Sequence, residues 1–198
     1  MVDPWKDPDP EAIAFATLVQ QEGGRLVHDL GCGSGRHVRA LSKIGLSIVA
    51  SDLTTEEVAS CKRETPSIYP VVGSMLSSPI ESDTLDGVLA VHVIYHALPE
   101  DISQTIAEVY RTLKPSGYFY LTLASHEHGS YGVGEMIGKH TFLPLSGIIH
   151  HFTSLRETES LLDRFNLVDR HTSQIDYVTK SEETIRCTHW RILAQKGQ

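Results

Sequence analysis

The stretch from residue 27 to residue 37, V-H-D-L-G-C-G-S-G-R-H, constrains the fold of this chain more than any other. It has the form of a short apolar strand with an acid near its end, a glycine-rich turn and the start of a helix. Glycines let the backbone turn tightly and approach a ligand closely. Their spacing here is G-x-G-x-G, which differs from the G-x-G-x-x-G of dinucleotide-binding turns. The sequence therefore predicts an α/β domain with a nucleotide-type pocket at this turn.

Apolar runs and amphipathic segments follow one another along the chain and predict alternating strands and helices. We expect strands at about 25–30, 46–51, 71–72, 85–91 and 118–123, with helices between them, and later a helix at 155–165 and strands at 167–178 and 187–196. Such alternation implies right-handed crossovers and a parallel sheet with helices on both faces. Residues 124–153 break the rhythm and suggest a long irregular connection, a kind of segment that is usually functional or disordered.

The composition limits the classes of protein to which the chain can belong. Its 198 residues predict a single domain, 1–198, with an N-terminal arm and helix at 1–22. The net charge of −8 argues against a broad grip on nucleic-acid phosphates. Three cysteines without C-x-x-C spacing predict neither a disulfide framework nor a zinc site. Without a long apolar run or a signal-peptide pattern, we expect a cytoplasmic protein that does not span a membrane.

Four further segments carry a resemblance to a known family. They are V-V-G-S-M-L at 71–76, L-D-G-V-L-A-V-H-V-I-Y-H at 85–96, R-T-L-K-P-S-G-Y-F at 111–119 and H-W-R-I-L-A-Q-K at 189–196. With the glycine turn, and in this order, they resemble the motifs of the class I S-adenosylmethionine-dependent methyltransferases over about residues 26–196. The resemblance implies a Rossmann-like, doubly wound, seven-stranded mixed sheet whose last strand is antiparallel. It also implies S-adenosylmethionine as the cofactor.

Asp52 lies 21 positions after Gly31, at the predicted end of the second strand. A carboxylate there accepts hydrogen bonds from ribose hydroxyls in nucleotide-binding α/β folds; the alternative is an aspartate that caps a helix or stabilises a turn. The resemblance implies that Asp29 holds the methionine ammonium group, although a buried acid bonded to loop amides is also compatible. It further implies that Ser74, where the family usually has aspartate, lies near the adenine. The residues expected to bind the cofactor are Asp29, Gly31, Cys32, Gly33, Gly35, Asp52, Leu53, Ser74, Met75 and Val91.

Histidines are concentrated where a methyl acceptor is expected to bind. The chain has 11 of them, and several follow the predicted fourth and fifth strands, at the sheet edge where ligands of open α/β folds bind. Because histidine titrates near neutral pH, His151 and His96 are candidate general bases; the alternative for each is a histidine that satisfies a neighbouring loop. The loop histidines lack the spacing typical of metal sites, so we expect no catalytic metal. They are His126, His128, His150 and His151.

Residues 134–152 resemble a loop of small methyltransferases of the tellurite-resistance type, which implies that the insertion 124–153 covers the substrate. We therefore predict methyl transfer to a small molecule by in-line displacement, with no nucleic acid or membrane partner. The sequence does not determine the number of subunits. One alternative is a non-catalytic protein that binds the same cofactor, which would lack polar groups on the acceptor side. Another is a nicotinamide-dependent oxidoreductase, which the glycine spacing and the lack of a Tyr-x-x-x-Lys pair disfavour.

Overall fold

The computed structural model describes residues 6–178 and 184–198. The start of the predicted N-terminal arm, residues 1–5, and most of the predicted final connection, residues 179–183, lie outside the described residues. The helices in the described part are α1 (Pro10–Gln21), α2 (Arg36–Lys43), α3 (Thr55–Glu64), α4 (Pro99–Thr112) and α5 (Leu155–Leu161). The strands there are β1 (Leu26–Leu30), β2 (Ser47–Asp52), β3 (Tyr69–Val72), β4 (Leu85–Ala90), β5 (Leu113–Ser125), β6 (Glu135–Gly138), β7 (Thr141–Leu143), β8 (His150–Thr153), β9 (Phe165–Val178) and β10 (Thr184–Lys196).

Seven of these strands form the central sheet, in the order β3-β2-β1-β4-β5-β10-β9. Neighbouring strands are parallel except at β10, which runs antiparallel to both β5 and β9. This confirms the predicted Rossmann-like mixed sheet with an antiparallel last strand. Because β10 is antiparallel, its first half lies beside the carboxyl end of β5, with His189 opposite Ala124. Residues of β10 can therefore contribute to a site at the carboxyl edge of the parallel strands.

The helices cover both faces of the sheet, as the sequence predicted. Phe15 of α1 and Leu41 of α2 belong to one cluster of buried apolar side chains, whereas Ile106 of α4 belongs to a second cluster. Consecutive residues of β4 contribute to different clusters, since Val88 packs in the cluster that contains Ile106 and Leu89 packs in the cluster that contains Phe15. Successive side chains of a strand point to opposite faces, so the two clusters are the two layers of a doubly wound core.

The segment 124–153 is not the irregular connection that the sequence suggested. It contains β6, β7 and β8, and the last of these joins the carboxyl end of β5 in parallel, with Phe152 opposite Ala124. β7 pairs antiparallel with both β6 and β8. Each of these strands spans only three or four residues, which is too short for a period of two to be recognised in the sequence. The insertion therefore adds a small sheet at the edge where the ligand site was expected.

Side chains at the helix starts explain where two of the helices begin. The carboxylate of Asp9 accepts a hydrogen bond from the backbone N–H of Glu11 at 2.9 Å, before α1. The hydroxyl of Thr54 accepts one from the N–H of Glu57 at 3.3 Å, before α3. No helix within the described ranges is both long and apolar enough to cross a bilayer.

Candidate functional site

The turn between β1 and α2 needs glycine at two positions for steric reasons. Gly31 has φ = 72°, and a Cβ built on it would lie 2.4 Å from the side chain of Val93. Gly35 has φ = 87°, and its Cβ would lie 2.7 Å from Cys61 Sγ. Positive φ is costly for other residues, so both positions are strained and crowded for any side chain. The N–H groups of Gly31 and Cys32 donate to the carbonyl of Ser51 at 2.9 Å, which fixes the turn against β2.

Asp52 ends β2 beside this turn, as predicted. One of its carboxylate oxygens accepts a hydrogen bond from the N–H of Gly33 at 3.0 Å, and the other accepts one from the N–H of Thr54 at 3.3 Å. The cap of α3 is Thr54, so the helix-capping alternative for Asp52 does not apply. With Gly31, Leu53 and other residues, Asp52 lines a cavity of about 230 Å³. Its role toward a ribose stays a prediction.

Asp29 is an acid buried next to the glycine turn. It is 1% exposed, and its Oδ2 has no hydrogen-bond partner among the described residues. Burial raises the pKa of Asp29 to about 7, an effect that the nearby Arg36 opposes and Asp52 reinforces. An unpaired buried carboxylate oxygen is costly unless a donor satisfies it. Asp29 lies behind the turn and is not among the residues that line either neighbouring cavity, but its unpaired oxygen fits a ligand that brings a positively charged donor, such as the ammonium group of S-adenosylmethionine.

Ser74 and Met75, two of the predicted cofactor residues, both line a small cavity that also involves Val71. Only Met75 extends into the 230 Å³ cavity that Asp52 lines. The Ser74 hydroxyl accepts a hydrogen bond from the N–H of Leu76 at 3.2 Å. Met75 is thus placed to pack on a ring in the larger cavity, whereas the Ser74 hydroxyl already serves the local turn.

A second cavity, of about 440 Å³, adjoins the first, and we call it the histidine cavity. The two share Gly31, His92 and His96 in their linings. The predicted cofactor residues Cys32, Gly33 and Val91 line the histidine cavity as well. Its remaining walls come from the segments after β4 and β5, from β8 and from β10. The six histidines that line it are His37, His92, His96, His128, His150 and His189.

Several imidazoles of the histidine cavity are neutral at physiological pH. Burial lowers the pKa of His92 to about 3, of His96 and His128 to about 4, and of His189 to about 2. Neighbouring imidazoles and arginines lower these pKa values further. The rings pack closely, with centroids 4.5 Å apart for His92 and His189 and also for His96 and His150. The cavity thus offers uncharged nitrogens that can donate or accept hydrogen bonds.

His151, the other candidate base, lies outside the histidine cavity. It is 1% exposed and is not among the residues that line that cavity. Its Nδ1 is 2.8 Å from the Thr141 hydroxyl and its Nε2 is 3.0 Å from a carboxylate oxygen of Glu157. Both ring nitrogens are therefore occupied by protein groups, a geometry that favours the structural alternative for His151. Its ring ties β7 and β8 to the start of α5.

His96 is placed in the cavity, as a candidate base requires. It lines both cavities, and its Nδ1–H donates to the carbonyl of Ile149 at 3.1 Å. A carbonyl can only accept, so the neutral imidazole carries its proton on Nδ1 and leaves Nε2 basic. A catalytic role for His96 stays a prediction.

Two cavity histidines were missed by the sequence reasoning. His189 lies on β10, and a histidine in the last strand was not expected at the carboxyl edge of the sheet. The predicted antiparallel direction of that strand could have revealed the position of His189, because it brings the first half of the strand to the carboxyl edge of the parallel strands. His37 belongs to α2, directly after the glycine turn, and its buried Nε2 has no hydrogen-bond partner in the described part of the chain.

The loop histidines do not converge on one point. His126 Nε2–H donates to the carbonyl of Phe152 at 3.0 Å, and His128 Nδ1 accepts from the N–H of Ser130 at 3.0 Å. Within residues 6–178 and 184–198, no group of three or more His, Cys, Asp or Glu side chains is arranged to hold a metal ion.

Comparisons with known proteins agree with the fold and the glycine turn. A family model described as a methyltransferase domain matches residues 28–121. An uncharacterized methyltransferase of Mycobacterium tuberculosis is 27% identical over 165 residues, which make up 82% of this chain and 61% of that protein. The chain spans only part of the length of the curated relatives that it matches, from about 30% of a sterol methyltransferase to 61% of the mycobacterial protein.

Solved structures of methyltransferases have the same fold. A SAM-dependent methyltransferase from Methanosarcina mazei superimposes with a TM-score of 0.75 at 22% identity, over 96% of this chain and 99% of the other. The 1,6-didemethyltoxoflavin-N1-methyltransferase of Burkholderia thailandensis, solved with its acceptor and S-adenosylhomocysteine, gives a TM-score of 0.67 at 19% identity, over 96% of this chain and 80% of the other. The strand order and the glycine turn are those of the class I S-adenosylmethionine-dependent methyltransferase fold, and residues 28–121, from β1 into β5, match a methyltransferase domain.

Proposed function

We propose that the chain transfers a methyl group from S-adenosylmethionine to a small molecule bound in the histidine cavity. The observation that carries this proposal is the meeting of two cavities at Gly31. One holds the carboxylate of Asp52, and the other is lined by neutral imidazoles. A cofactor that crosses Gly31 would have its ribose in the first cavity and its methionine end facing the second. An acceptor in the histidine cavity would then lie beside the methyl group.

Each of the two aspartates would bind a different part of the cofactor. The Asp52 oxygens each accept one backbone hydrogen bond and keep further lone pairs for ribose hydroxyls. The unpaired Oδ2 of Asp29 would accept from the ammonium group. When bound, the cofactor would supply an activated methyl group, which an acceptor's lone pair could displace from the sulfonium sulfur. The chain contributes alignment of the acceptor and removal of its proton.

Three observations support a small acceptor, and a fourth supports a cytoplasmic location. The histidine cavity, at about 440 Å³, has the size of a small-molecule site. The Burkholderia neighbour methylates a small molecule according to its name, and the net charge of −8 disfavours nucleic acid. All three cysteines are free thiols, which suits a reducing compartment. We infer no partner beyond the acceptor.

Calorimetric titration with S-adenosylhomocysteine tests the cofactor site. Asp52→Ala and Asp29→Asn should each weaken binding about tenfold or more, because each removes a hydrogen bond to a charged or buried acceptor. Asp163→Asn, an exposed change after α5, is the matched control and should bind normally. Binding of NAD in place of S-adenosylhomocysteine, or normal affinity in both site variants, would remove the proposal.

The pH dependence of the same titration tests Asp29 separately. Its carboxyl has a pKa of about 7 before the ligand binds, and an ammonium group favours the ionised form. Binding below pH 7 must therefore expel a proton, and affinity should fall up to tenfold per pH unit there. In Asp29→Asn this fall should be absent, whereas in Asp52→Asn it should persist. Transfer of a labelled methyl group into a metabolite pool then separates an enzyme from a non-catalytic binder.

A further inference from the structure

The hydroxyl of Tyr95 connects two of the cavity histidines. It lies 3.1 Å from His92 Nδ1 and 3.2 Å from His189 Nε2, and the Tyr95 side chain is buried. A phenol has one proton, so it donates to one imidazole and accepts from the other. Two residues from the segment after β4 are thus tied to β10 by a continuous chain of hydrogen bonds. His92 is held firmly in it, since its N–H donates to the Thr122 hydroxyl at 2.8 Å and its φ is 58°.

The far end of this chain is the Nδ1 atom of His189. The residue is 1% exposed and lines the histidine cavity, and its Nδ1 has no hydrogen-bond partner among the described residues. If His189 Nε2–H donates to Tyr95 and Tyr95 donates to His92, Nδ1 is a bare acceptor nitrogen. An unpaired buried nitrogen is costly, because it has lost its hydrogen bonds to water without gaining others. A ligand that brings a hydrogen-bond donor to this point would remove that cost.

The surroundings of His189 favour an uncharged, planar ligand. Besides Tyr95, the titratable and charged groups that line the cavity or act on His189 are Cys32, Arg36, His37, His92, His96, His128, His150, Cys187 and Arg191. No carboxylate is among the described residues that line the cavity, so a cationic acceptor would have no counter-charge there. Tyr95 and the imidazoles present aromatic rings, which pack well against another flat ring.

We propose that His189, oriented by Tyr95, accepts the proton of a hydroxyl group on a planar acceptor, a phenol or a hydroxylated heteroaromatic ring. This inference rests on the proposed function, because it names the acceptor of the same site. The acceptor hydroxyl donates to Nδ1 in the bound state. As its oxygen forms the bond to the methyl carbon, the hydroxyl proton moves to Nδ1. The imidazolium then releases this proton to water, which restores the neutral ring.

A weak base is sufficient for this step. An alcohol oxygen that acquires a methyl group becomes positively charged, and its remaining proton becomes strongly acidic. The low pKa of His189, about 2, keeps the ring unprotonated and ready to accept throughout the neutral range. A base with a low pKa takes up the proton late in the reaction, once the methyl bond has begun to form. Its placement beside the reacting oxygen therefore matters more than its basicity.

Binding of a matched pair of probes tests the proposal without turnover. The protein is first loaded with S-adenosylhomocysteine and then titrated at pH 6 with 4-nitrophenol, mainly neutral at that pH, or with 4-nitroanisole. The two differ only at that oxygen, which carries a proton in the phenol and a methyl group in the anisole. We expect the wild-type protein to bind the phenol about tenfold more tightly, because the anisole leaves Nδ1 unpaired. In His189→Phe, which keeps a ring without nitrogen, the preference should disappear.

A second variant keeps the test decisive if His189→Phe fails to fold. Tyr95→Phe removes only the hydroxyl that orients the imidazole, and it should reduce the preference without abolishing it. His171→Gln, an exposed change on β9, is the control and should retain the full preference. Equal affinity for the two probes in the wild-type protein, or no binding of either, would overturn the acceptor class. The proposed function would survive that result, since its own tests, S-adenosylhomocysteine binding in the aspartate variants and methyl transfer to a metabolite pool, do not involve either probe.

The rate with substituted phenols gives a readout that a purely structural role would not change. With His189 present, the maximal rate should vary little between pH 6 and 8. In His189→Phe only the ionised phenol can react, so the rate should rise with pH up to the phenol's own pKa. Phenols of lower pKa should restore much of the variant's lost rate. A variant that loses rate equally at every pH, with every phenol, would leave His189 with a structural role and overturn the proposal.

Discussion

Buried neutral histidines should make this protein unusually sensitive to acid. His28, His37, His128 and His189 are each less than 9% exposed. Burial lowers their pKa values to about 4, 3, 4 and 2 respectively, whereas an unfolded chain has histidine pKa values near 6.5. The unfolded state therefore binds more protons than the folded state between pH 6.5 and about 4. Stability is complete above pH 6.5 and is lost as the pH falls through this window.

The size of the effect follows from the same pKa values. Between pH 7 and pH 5, each histidine protonates in the unfolded chain and stays neutral in the folded one, which costs about 2 kcal/mol. Four such residues cost about 8 kcal/mol. Asp29 acts in the opposite direction, because its pKa of about 7 lets the folded state take up a proton in this range, which returns about 2 kcal/mol. The net loss of about 6 kcal/mol is comparable with the whole stability of a typical domain.

Urea unfolding at pH 7, 6 and 5 measures this loss directly. The free energy of unfolding should fall by several kcal/mol, and most of the fall should lie below pH 6.5. His28→Gln, which cannot titrate and can still hydrogen-bond to Ser51, should reduce the fall by about 2 kcal/mol. His171→Gln is the control, because its ring is 45% exposed and the residue lies outside the buried set. A change below about 1 kcal/mol between pH 7 and 5 would refute the reasoning.

Two other substitutions test the glycine turn and the ion pair beneath the site. Gly35→Ala should lower the free energy of unfolding in urea titrations more than Gly33→Ala does. Both glycines have positive φ, but only a Cβ at Gly35 would lie against Cys61. Equal losses of unfolding free energy in the two variants would contradict the clash. Asp9→Asn should cost about 3 kcal/mol, because Arg191 is buried and its Nη1 is 2.6 Å from the Asp9 carboxylate. Asp176→Asn breaks the exposed pair with Arg186 and should cost less than about 1 kcal/mol; similar costs in the two would show that burial does not matter.

The sheet could be predicted because its strands are marked locally. β1, β2 and β4 are buried apolar runs that end at Leu30, Asp52 and Ala90, and each is followed by a turn and a helix or loop. The small strands of the insertion could not be predicted, since three or four residues carry too little pattern. They are stabilised by partners far away in the sequence, as where β8 meets the end of β5.

The two halves of the candidate site differ in how far the sequence predicts them. The cofactor half depends on a contiguous turn and on Asp52, 21 positions after Gly31, so that local spacing reveals it. The acceptor half depends on which loop histidines face inward, and this is decided by tertiary contacts. His151 is the clearest example, because Thr141 and Glu157 occupy its ring nitrogens whereas the adjacent His150 lines the cavity. On a strand, neighbouring side chains face opposite sides, and only the strand's position shows which side is the cavity.

The acid sensitivity and the proposed chemistry have a common physical origin. His128 and His189 are costly to protonate because they are buried around the histidine cavity, and that burial keeps their rings neutral there. A solvated imidazole is protonated part of the time near neutral pH, and in that state it could not take up the proton that the methyl acceptor loses. Low pKa values at this edge therefore fit a site that receives a proton only during methyl transfer. The stability lost in acid is the consequence of keeping those nitrogens unprotonated.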